Sequence, residues 1–308
     1  MHATDKRAQL VGHYKTEVPS MTHTFNHQPG SLALFQDAPT RSVDVGGTTF
    51  VYRELGPKTG VPVILLNHLG AQLDNFDPRI VNGLAATRRV IAFDNRGIGA
   101  SGGKTPSTVS EMAQDAVVFI RTLGFEEVDL FGFSLGRFVA QEIVLTEPKL
   151  VRKLILTGTG PAGGEGIDKV TPLTIRDMIK GALTFRDPKY YLFFTTTPNG
   201  RRAAKAFLER LKERRTNRDK AISLSAFGAQ LKAIKAYGLH APQDLSVIRI
   251  PTLVANGDQD KMVPSSNTYD LARRILGAQL VIYSDAGHGG IFQNYADFVP
   301  KVLSFMEG

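Results

Sequence analysis

The chain has 308 residues, of which 42% are hydrophobic and 21% are charged, and it contains no cysteine. This composition is typical of a soluble globular protein, and the lack of cysteine excludes disulfide scaffolds, thiol nucleophiles and thiolate metal sites. No apolar run approaches the roughly 18 residues of a membrane-spanning helix. Residues 1–20 also lack the apolar stretch of a signal peptide. We therefore expect a cytoplasmic protein that has no membrane partner.

The formal net charge of +8 is concentrated in one segment of the chain. Between Pro161 and His240 there are 16 Lys plus Arg and 7 Asp plus Glu, so the rest of the chain is close to neutral. The densest part, residues 205–220, is typical of a helix with an exposed charged face, and attraction of an anionic substrate is the functional alternative. No motif in this segment favours nucleic acid, so we expect no nucleic-acid partner.

Residues 1–40 show no steady hydrophobic period and contain four of the seven histidines. We predict a loose N-terminal extension, and the irregular spacing of its histidines does not favour a metal site. From Arg41 onward the pattern changes, because two β-rich runs flank Gly46 and Gly47. This arrangement predicts a β-hairpin that opens the folded domain.

Short apolar runs of strand length follow the hairpin and alternate with helical patterns. One helix is predicted at residues 107–125, with Ser107 or Ser110 as its N-cap, and another at 271–277. The alternation predicts an α/β fold with a mostly parallel, eight-stranded sheet that has helices on both faces. Residues 161–245 contain no strand-like run, so we predict a helical cap inserted after the sixth strand, between core segments 41–160 and 246–308. The six runs are residues 61–67, 89–94, 128–133, 153–158, 251–257 and 279–285.

The sequence Gly-Phe-Ser-Leu-Gly at residues 132–136 lies directly between a predicted strand and a predicted helix. This is the pattern of a nucleophile elbow, a sharp turn that exposes a serine hydroxyl and requires glycine where a side chain would collide. The turn places the N–H of Leu135 at a helix N-terminus, where it can stabilise a negatively charged oxygen. We therefore predict that Ser134 is a nucleophile.

A serine nucleophile needs a base and an acid that orients the base, and in this kind of turn they follow in the order Ser, Asp, His. Asp258 and Asp260 follow the predicted strand at 251–257. His288 follows the last predicted strand in a glycine-rich loop and is the only histidine in the last 60 residues. His288 is therefore the candidate base, and either aspartate satisfies the order.

These motifs resemble the α/β-hydrolase family over about residues 41–306. The family's acid lies in a G-x-x-D-x-x-x-P pattern, which Gly257, Asp260 and Pro264 match, so the resemblance implies Asp260, with Asp258 as the fallback. The family's D-x-R-G-x-G-x-S turn, a structural feature, is matched at residues 94–101.

The segment Asn-His-Leu-Gly at residues 67–70 stands where most of this family has His-Gly-x. It is similar to the S-N-S-L-G stretch of 3-oxoadipate enol-lactonases, which hydrolyse a small acidic lactone. This similarity implies that the N–H of Leu69 completes an oxyanion hole with that of Leu135. His68 would then lie at the edge of the pocket, either as a structural residue or as a substrate contact.

Arg137 departs from the family, which usually has glycine or another small residue directly after the elbow. A long cation there would either overpack the site and destabilise the protein by roughly 1–3 kcal/mol or assist the binding of an anionic substrate. Phe133, His68 and Arg137 are the expected substrate contacts. The predicted cap adds aromatic residues that either line an apolar pocket or pack together: Phe185, Tyr190, Tyr191, Phe193 and Phe194.

Taken with the resemblance, these residues predict hydrolysis of a carboxylic ester or lactone of a small, polar or anionic substrate, through an acyl-enzyme on Ser134. This chemistry needs no metal or organic cofactor, so we expect none. The same three residues would also serve two alternatives in the family, C–C bond hydrolysis and cofactor-free perhydrolase or haloperoxidase chemistry. A ligand-binding protein with little turnover is the non-enzyme alternative, and the sequence does not indicate the oligomeric state.

Overall fold

The computed structural model describes residues 33–308, in which eight strands form a single sheet. The strands span Arg41–Val45 (β1), Thr48–Leu55 (β2), Val63–Leu66 (β3), Val90–Phe93 (β4), Val128–Phe133 (β5), Val151–Thr157 (β6), Thr252–Gly257 (β7) and Gln279–Tyr283 (β8). Their order across the sheet is β1-β2-β4-β3-β5-β6-β7-β8. The β1–β2 and β2–β4 pairs are antiparallel, and all other neighbouring strands are parallel.

Helices surround this sheet. They span Pro78–Ala85 (α1), Val109–Thr122 (α2), Leu135–Thr146 (α3), Val170–Leu183 (α4), Lys189–Leu192 (α5), Pro198–Arg210 (α6), Leu224–Gly238 (α7), Ser266–Arg274 (α8), Gly290–Gln293 (α9) and Tyr295–Glu307 (α10). Within residues 33–308, none of them combines the length and the apolar composition that crossing a membrane would require.

The predicted fold class, a mostly parallel eight-stranded sheet with a helical insertion after the sixth strand, is confirmed. The three central strands β3, β4 and β5 are buried along their whole length, which is why they are continuous apolar runs in the sequence. The hairpin at the start of the domain also forms as predicted. Gly46 and Gly47 both have positive φ, at 59° and 84°, as a two-residue hairpin turn requires.

The N-terminal side of the domain differs from its prediction. Of the expected loose extension, residues 1–32, with their four histidines, lie outside the described residues, but residues 33–40 are not loose. Phe35 is buried, its N–H donates to Asn82 Oδ1 at 2.7 Å, and its ring meets Phe76 edge-on at 6.3 Å. A single anchored aromatic residue produces no hydrophobic period, so the sequence pattern could not indicate this contact.

The N-cap of helix α2 is Thr108 rather than Ser107 or Ser110. The Thr108 hydroxyl accepts the Glu111 N–H at 3.2 Å and lies 2.7 Å from the Glu111 carboxylate. This pairing satisfies one of the free N–H groups at the helix start. With three hydroxyl residues near this boundary, only the backbone conformation decides which of them caps the helix.

Residues 161–245, here called the insert, carry helices α4 to α7 and no strand. The prediction of one charged helix over residues 205–220 is wrong in its second half, because α6 ends at Arg210 and residues 211–223 are irregular. Several charged side chains of this segment are exposed, as predicted, but others pair with the core. Arg210 pairs with Asp77 at 2.6 Å, Glu213 pairs with Arg79 at 2.6 Å, and Asp77 is fully buried.

A buried ion cluster connects the irregular segment of the insert, residues 211–223, to the core. The guanidinium of Arg53, on β2, lies 2.8 Å from Asp74 and 2.9 Å from Asp219 of the insert. The two aspartates also exchange backbone hydrogen bonds, since each N–H donates to the carboxylate of the other residue at 2.9–3.1 Å. The insert is therefore attached to the core by paired charges as well as by apolar packing.

We expect Asp219→Asn to change how stability depends on pH. Burial raises the pKa of Asp219 to about 6, although the guanidinium of Arg53 opposes the rise. The folded protein thus binds this proton more tightly than the unfolded chain does. As a result, stability falls as the pH rises from about 4 to about 6, and the loss is fully present above that range. Compared with Asp219→Asn, the parent should lose about 1 kcal/mol of unfolding free energy between pH 4.5 and pH 7.5, allowing for screening. Urea unfolding at both pH values measures this, and parallel pH dependences would contradict it.

Candidate active site

Ser134 occupies the turn between β5 and α3 in a strained conformation, with φ 56° and ψ −119°. Non-glycine residues rarely adopt positive φ, and such outliers persist only where the surrounding structure enforces them. Here the enforcement comes from close packing on both sides of the serine. A Cβ atom on Gly132 would lie 2.5 Å from the Cα of Arg137, and one on Gly136 would collide with the Leu66 carbonyl oxygen. Both glycines of the motif are therefore required by the geometry.

Asp260 and His288 come together from the loops that follow β7 and β8. His288 Nδ1 lies 2.7 Å from Asp260 Oδ2, and both side chains are buried. The other carboxylate oxygen, Oδ1, accepts the backbone N–H groups of Met262 at 2.8 Å and Val263 at 3.0 Å. Because an ionised carboxylate only accepts, the proton on His288 is at Nδ1, and Nε2 presents a lone pair.

The charge on Asp260 is stabilised despite its burial. Burial by itself raises the pKa of Asp260, but His288 and hydrogen bonds from Val263 and Asn256 outweigh it, so the pKa lies below its usual value. The carboxylate is therefore ionised at neutral pH. Asp258, the alternative acid, is exposed, and within residues 33–308 its carboxylate accepts only the Ala286 N–H, at 3.3 Å. The structure thus brings Asp260, and not Asp258, to the histidine.

The ring of His288 lies beside the elbow. His288 packs over Phe133, the residue before Ser134, with ring centroids 5.1 Å apart. A Cβ atom on Gly158, at the end of β6, would lie 3.0 Å from His288 Cε1. Nε2 is buried and makes no hydrogen bond within residues 33–308. A catalytic hydrogen bond often forms only when substrate binds, so a free Nε2 is compatible with a role as base.

Two backbone N–H groups near Ser134 are free. Among the hydrogen bonds of residues 33–308, none uses the N–H of Leu69 or of Leu135. Leu135 is the first residue of α3, whose early N–H groups have no partner inside the helix. Leu69 follows β3, the strand beside β5 in the sheet. These are the two donors that the sequence analysis predicts for an oxyanion hole.

His68 is buried and neutral in this environment. Its ring lies between Phe133, at 5.6 Å, and Phe193 of the insert, at 5.1 Å. Burial lowers the pKa of His68 to about 3. Nδ1 lies 2.8 Å from the carbonyl oxygen of Leu69, which can only accept, so Nδ1 carries the proton. Nε2 is then an acceptor that has no partner among residues 33–308. His68 is therefore a neutral acceptor beside the elbow.

Only one of the five aromatic residues predicted in the cap reaches this cluster by ring contact. Phe193 contacts Phe133 and His288, with ring centroids 5.5 Å away in each case. Its carbonyl oxygen also accepts the N–H of Gly289 at 2.7 Å, so the insert is bonded to the loop that carries His288. Phe185, by contrast, is 98% exposed and makes no ring contact with this cluster.

Arg137 is fully buried, and all three of its guanidinium nitrogens lack hydrogen-bond partners within the described residues. Its guanidinium carbon lies 4.0 Å from the ring centroid of Phe138, a cation–π contact. Burial lowers the pKa of Arg137 to about 9, while the charge of Asp260 opposes this. The side chain is thus a buried cation on α3 that has no hydrogen-bond partner among residues 33–308.

Gln230 of the insert is a site residue that the sequence analysis missed. It is fully buried on α7, and its Oε1 accepts the N–H of Gly70 at 2.8 Å. Its position in an ordinary helix, 160 residues from Gly70, leaves no local signal in the sequence.

No group of three or more metal-ligating side chains occurs within residues 33–308.

Comparisons with known proteins identify the family of this chain. A family model described as alpha/beta hydrolase fold matches residues 61–295. The chain is 28% identical over 254 residues to a putative carbamate hydrolase RutD of Rhizobium rhizogenes, covering 79% of this chain and 92% of that protein. An enol-lactonase from Burkholderia xenovorans LB400, 22% identical with a TM-score of 0.71 and covering 87% of this chain and 100% of that one, shows likeness of fold alone.

A second solved structure is nearer in sequence. The alpha/beta hydrolase fold protein from Chitinophaga pinensis is 36% identical, has a TM-score of 0.84, and covers 90% of this chain and 100% of that chain. The family model and this relative both span most of the sheet, the elbow and the insert. The chain therefore belongs to the alpha/beta hydrolase fold family of enzymes.

Proposed function

We propose that this protein is a serine hydrolase that cleaves a carboxylic ester or lactone, with Ser134 as nucleophile, His288 as base and Asp260 as the acid that orients the base. The observation that carries the proposal is the 2.7 Å bond between His288 Nδ1 and Asp260, which leaves the Nε2 lone pair free on a ring that packs against Phe133, the residue before the strained serine. That lone pair is what a general base requires.

The reaction proceeds in two halves. Ser134 Oγ attacks the carbonyl carbon while His288 Nε2 takes the hydroxyl proton, and the ionised Asp260 stabilises the imidazolium that forms. The proton passes to the leaving oxygen, the carbon–oxygen bond breaks, and the acyl group stays on Ser134. A water molecule, deprotonated by His288, then attacks the acyl-enzyme and releases the acid. The free N–H groups of Leu69 and Leu135 stabilise the oxyanion in both halves.

A small substrate is supported by the crowding around the site. The rings of Phe133 and Phe193 pack against both His288 and His68, and Ser134 is only 7% exposed. An anionic substrate is supported by the excess of cations in the insert. This support is partial, since several of those cations, such as Arg210, are paired with acids of the core. The guanidinium of Arg137, a residue of α3, packs over the ring of Phe138. Arg137 is not among the substrate contacts that we propose.

The first experiment is covalent labelling with a fluorophosphonate, followed by intact-mass measurement. We expect one adduct on the parent and none on Ser134→Ala, because the reagent traps an activated serine. Ser246→Ala, which removes an exposed serine far along the chain, should label like the parent. Absence of an adduct on the parent, or an adduct on Ser134→Ala, would contradict the assignment.

A substrate panel then tests the bond that is cleaved. Matched esters and lactones with and without a carboxylate should be hydrolysed, with kcat/KM higher for the carboxylates. Turnover of β-diketone acids or of peroxide, with no turnover of any ester, would instead favour the C–C hydrolase or perhydrolase alternative. Tight binding of panel members without product would favour the ligand-binding alternative.

A further inference from the structure

We propose that Gln230 is a positioning residue that holds the oxyanion loop, residues 67–71, in its active arrangement from the insert side. This inference rests on the proposed function, because it concerns the N–H of Leu69 as an oxyanion donor. It adds a residue that lies outside the core and outside every motif of the catalytic machinery. It also joins the placement of the insert to the competence of the site.

The contact that carries this inference is the bond from the Gly70 N–H to Gln230 Oε1, at 2.8 Å. An N–H group can only donate, so the bond fixes which end of the Gln230 amide faces the loop. Gln230 is fully buried and Gly70 is partly exposed, so the bond is shielded from water on the Gln230 side. Helix α7 also packs directly on the loop, since a Cβ atom on Gly70 would lie 3.1 Å from the ring of Phe227.

The same peptide unit is held at its other end by His68. The carbonyl oxygen of Leu69 accepts His68 Nδ1 at 2.8 Å, while the N–H of Gly70 belongs to the same peptide plane. The peptide between Leu69 and Gly70 is thus bonded on both sides. The preceding N–H, that of Leu69, has no partner in the described part of the chain and keeps a fixed direction. These two hydrogen bonds, from His68 and to Gln230, therefore orient the free N–H of Leu69 without using it.

Orientation of this kind has a large effect on rate. A preorganised donor stabilises the transition state because it needs no rearrangement when the oxyanion forms, and loss of one donor costs about 10²–10³ in kcat. Loosening the loop leaves the donor present but poorly aimed. We therefore expect loss of the Gln230 contact to slow acylation by about 10- to 100-fold.

The hydrogen bond between Gly70 and Gln230 also depends on where the insert lies. If α7 moved away from the core, the Gly70 N–H and Gln230 Oε1 would both lose their partners, and a buried polar group without a partner is unfavourable. The insert must therefore lie on the core for the oxyanion loop to be held in its active arrangement. A residue that is merely structural would stabilise α7 without changing the chemical step.

The test compares Gln230→Met, which keeps the volume but removes the acceptor, with Gln230→Glu, which keeps an oxygen facing Gly70. Two quantities are measured in the full-length protein: the second-order rate of fluorophosphonate acylation and the hydrogen–deuterium exchange rate of the Gly70 amide. We expect Gln230→Met to acylate about 10- to 100-fold more slowly and its Gly70 amide to exchange faster. On an ester substrate, kcat should fall more than KM rises, and Gln230→Glu should recover most of the rate.

Tyr237→Phe serves as the matched control, because Tyr237 is buried two turns further along the same helix and its hydroxyl makes no hydrogen bond within the described residues. It should acylate and exchange like the parent. Acylation of Gln230→Met at the parental rate would overturn the proposal while leaving the serine hydrolase assignment intact. Failure of the parent itself to acylate would overturn the hydrolase assignment and this role together. In that case the Gly70 exchange would report only a structural contact.

Discussion

Asp260→Asn should lower kcat/KM by on the order of 10⁴-fold and leave the protein folded. The reason lies in how the carboxylate divides its two oxygens. Oδ1 accepts the N–H groups of Met262 and Val263, and Oδ2 accepts His288 Nδ1. Asparagine has one oxygen, and the two backbone donors can be satisfied only by that oxygen. Its NH₂ group must then face His288.

An NH₂ group facing the ring donates to Nδ1, so the proton of the neutral imidazole moves to Nε2. The lone pair that would accept the Ser134 proton is then gone, although every heavy atom is nearly in place. Steady-state kinetics on an ester and the rate of fluorophosphonate acylation both measure this loss. Circular dichroism and the thermal midpoint verify that the fold is intact.

Asp258→Asn is the matched control, because it makes the same change two residues away on the exposed side of the loop. Its carboxylate accepts one backbone N–H, from Ala286, and does not contact His288. We expect kcat/KM within about threefold of the parent. If Asp258→Asn lost the activity and Asp260→Asn retained it, the assignment of the acid would be reversed.

The parts of the structure that the sequence predicts are those whose causes are local. The elbow is such a case, because a buried strand, a strained serine and two obligatory glycines lie within a few residues of one another. The sheet is another, because strands buried on both faces must be continuous apolar runs. The choice of Asp260 over Asp258 needed the family pattern, since both follow the same strand at nearly the same distance.

The parts that the sequence did not predict depend on partners far along the chain. Arg210 and Glu213 appear as a solvated charge run until Asp77 and Arg79 are placed beside them. Gln230 has a similar origin, because its partner Gly70 is 160 residues away. In each case the sequence specifies a polar group, but only the packing of the insert on the core shows where its hydrogen bonds go.

Arg137→Met should stabilise the protein by about 1–4 kcal/mol, because it replaces a buried charge by an apolar side chain of similar length. Burial lowers the pKa of Arg137 to about 9, so the folded state binds this proton less tightly than the unfolded chain does. The resulting destabilisation is fully present below about pH 9, which includes physiological pH. The cation–π contact with Phe138 offsets only part of it, since such contacts contribute about 2 kcal/mol when desolvated.

Thermal midpoints and urea unfolding at pH 7.5 measure this effect, and for a chain of this size the midpoint should rise by about 2–4 °C per kcal/mol. Arg210→Met is the matched control, because Arg210 is also buried but has a partner in Asp77 at 2.6 Å. Breaking that pair leaves an uncompensated carboxylate and should destabilise the protein by about 3–5 kcal/mol. The same substitution is thus expected to have opposite signs at two buried arginines. If Arg137→Met were destabilising too, its guanidinium must be stabilised by an anion or by water, and a role beside the nucleophile would follow.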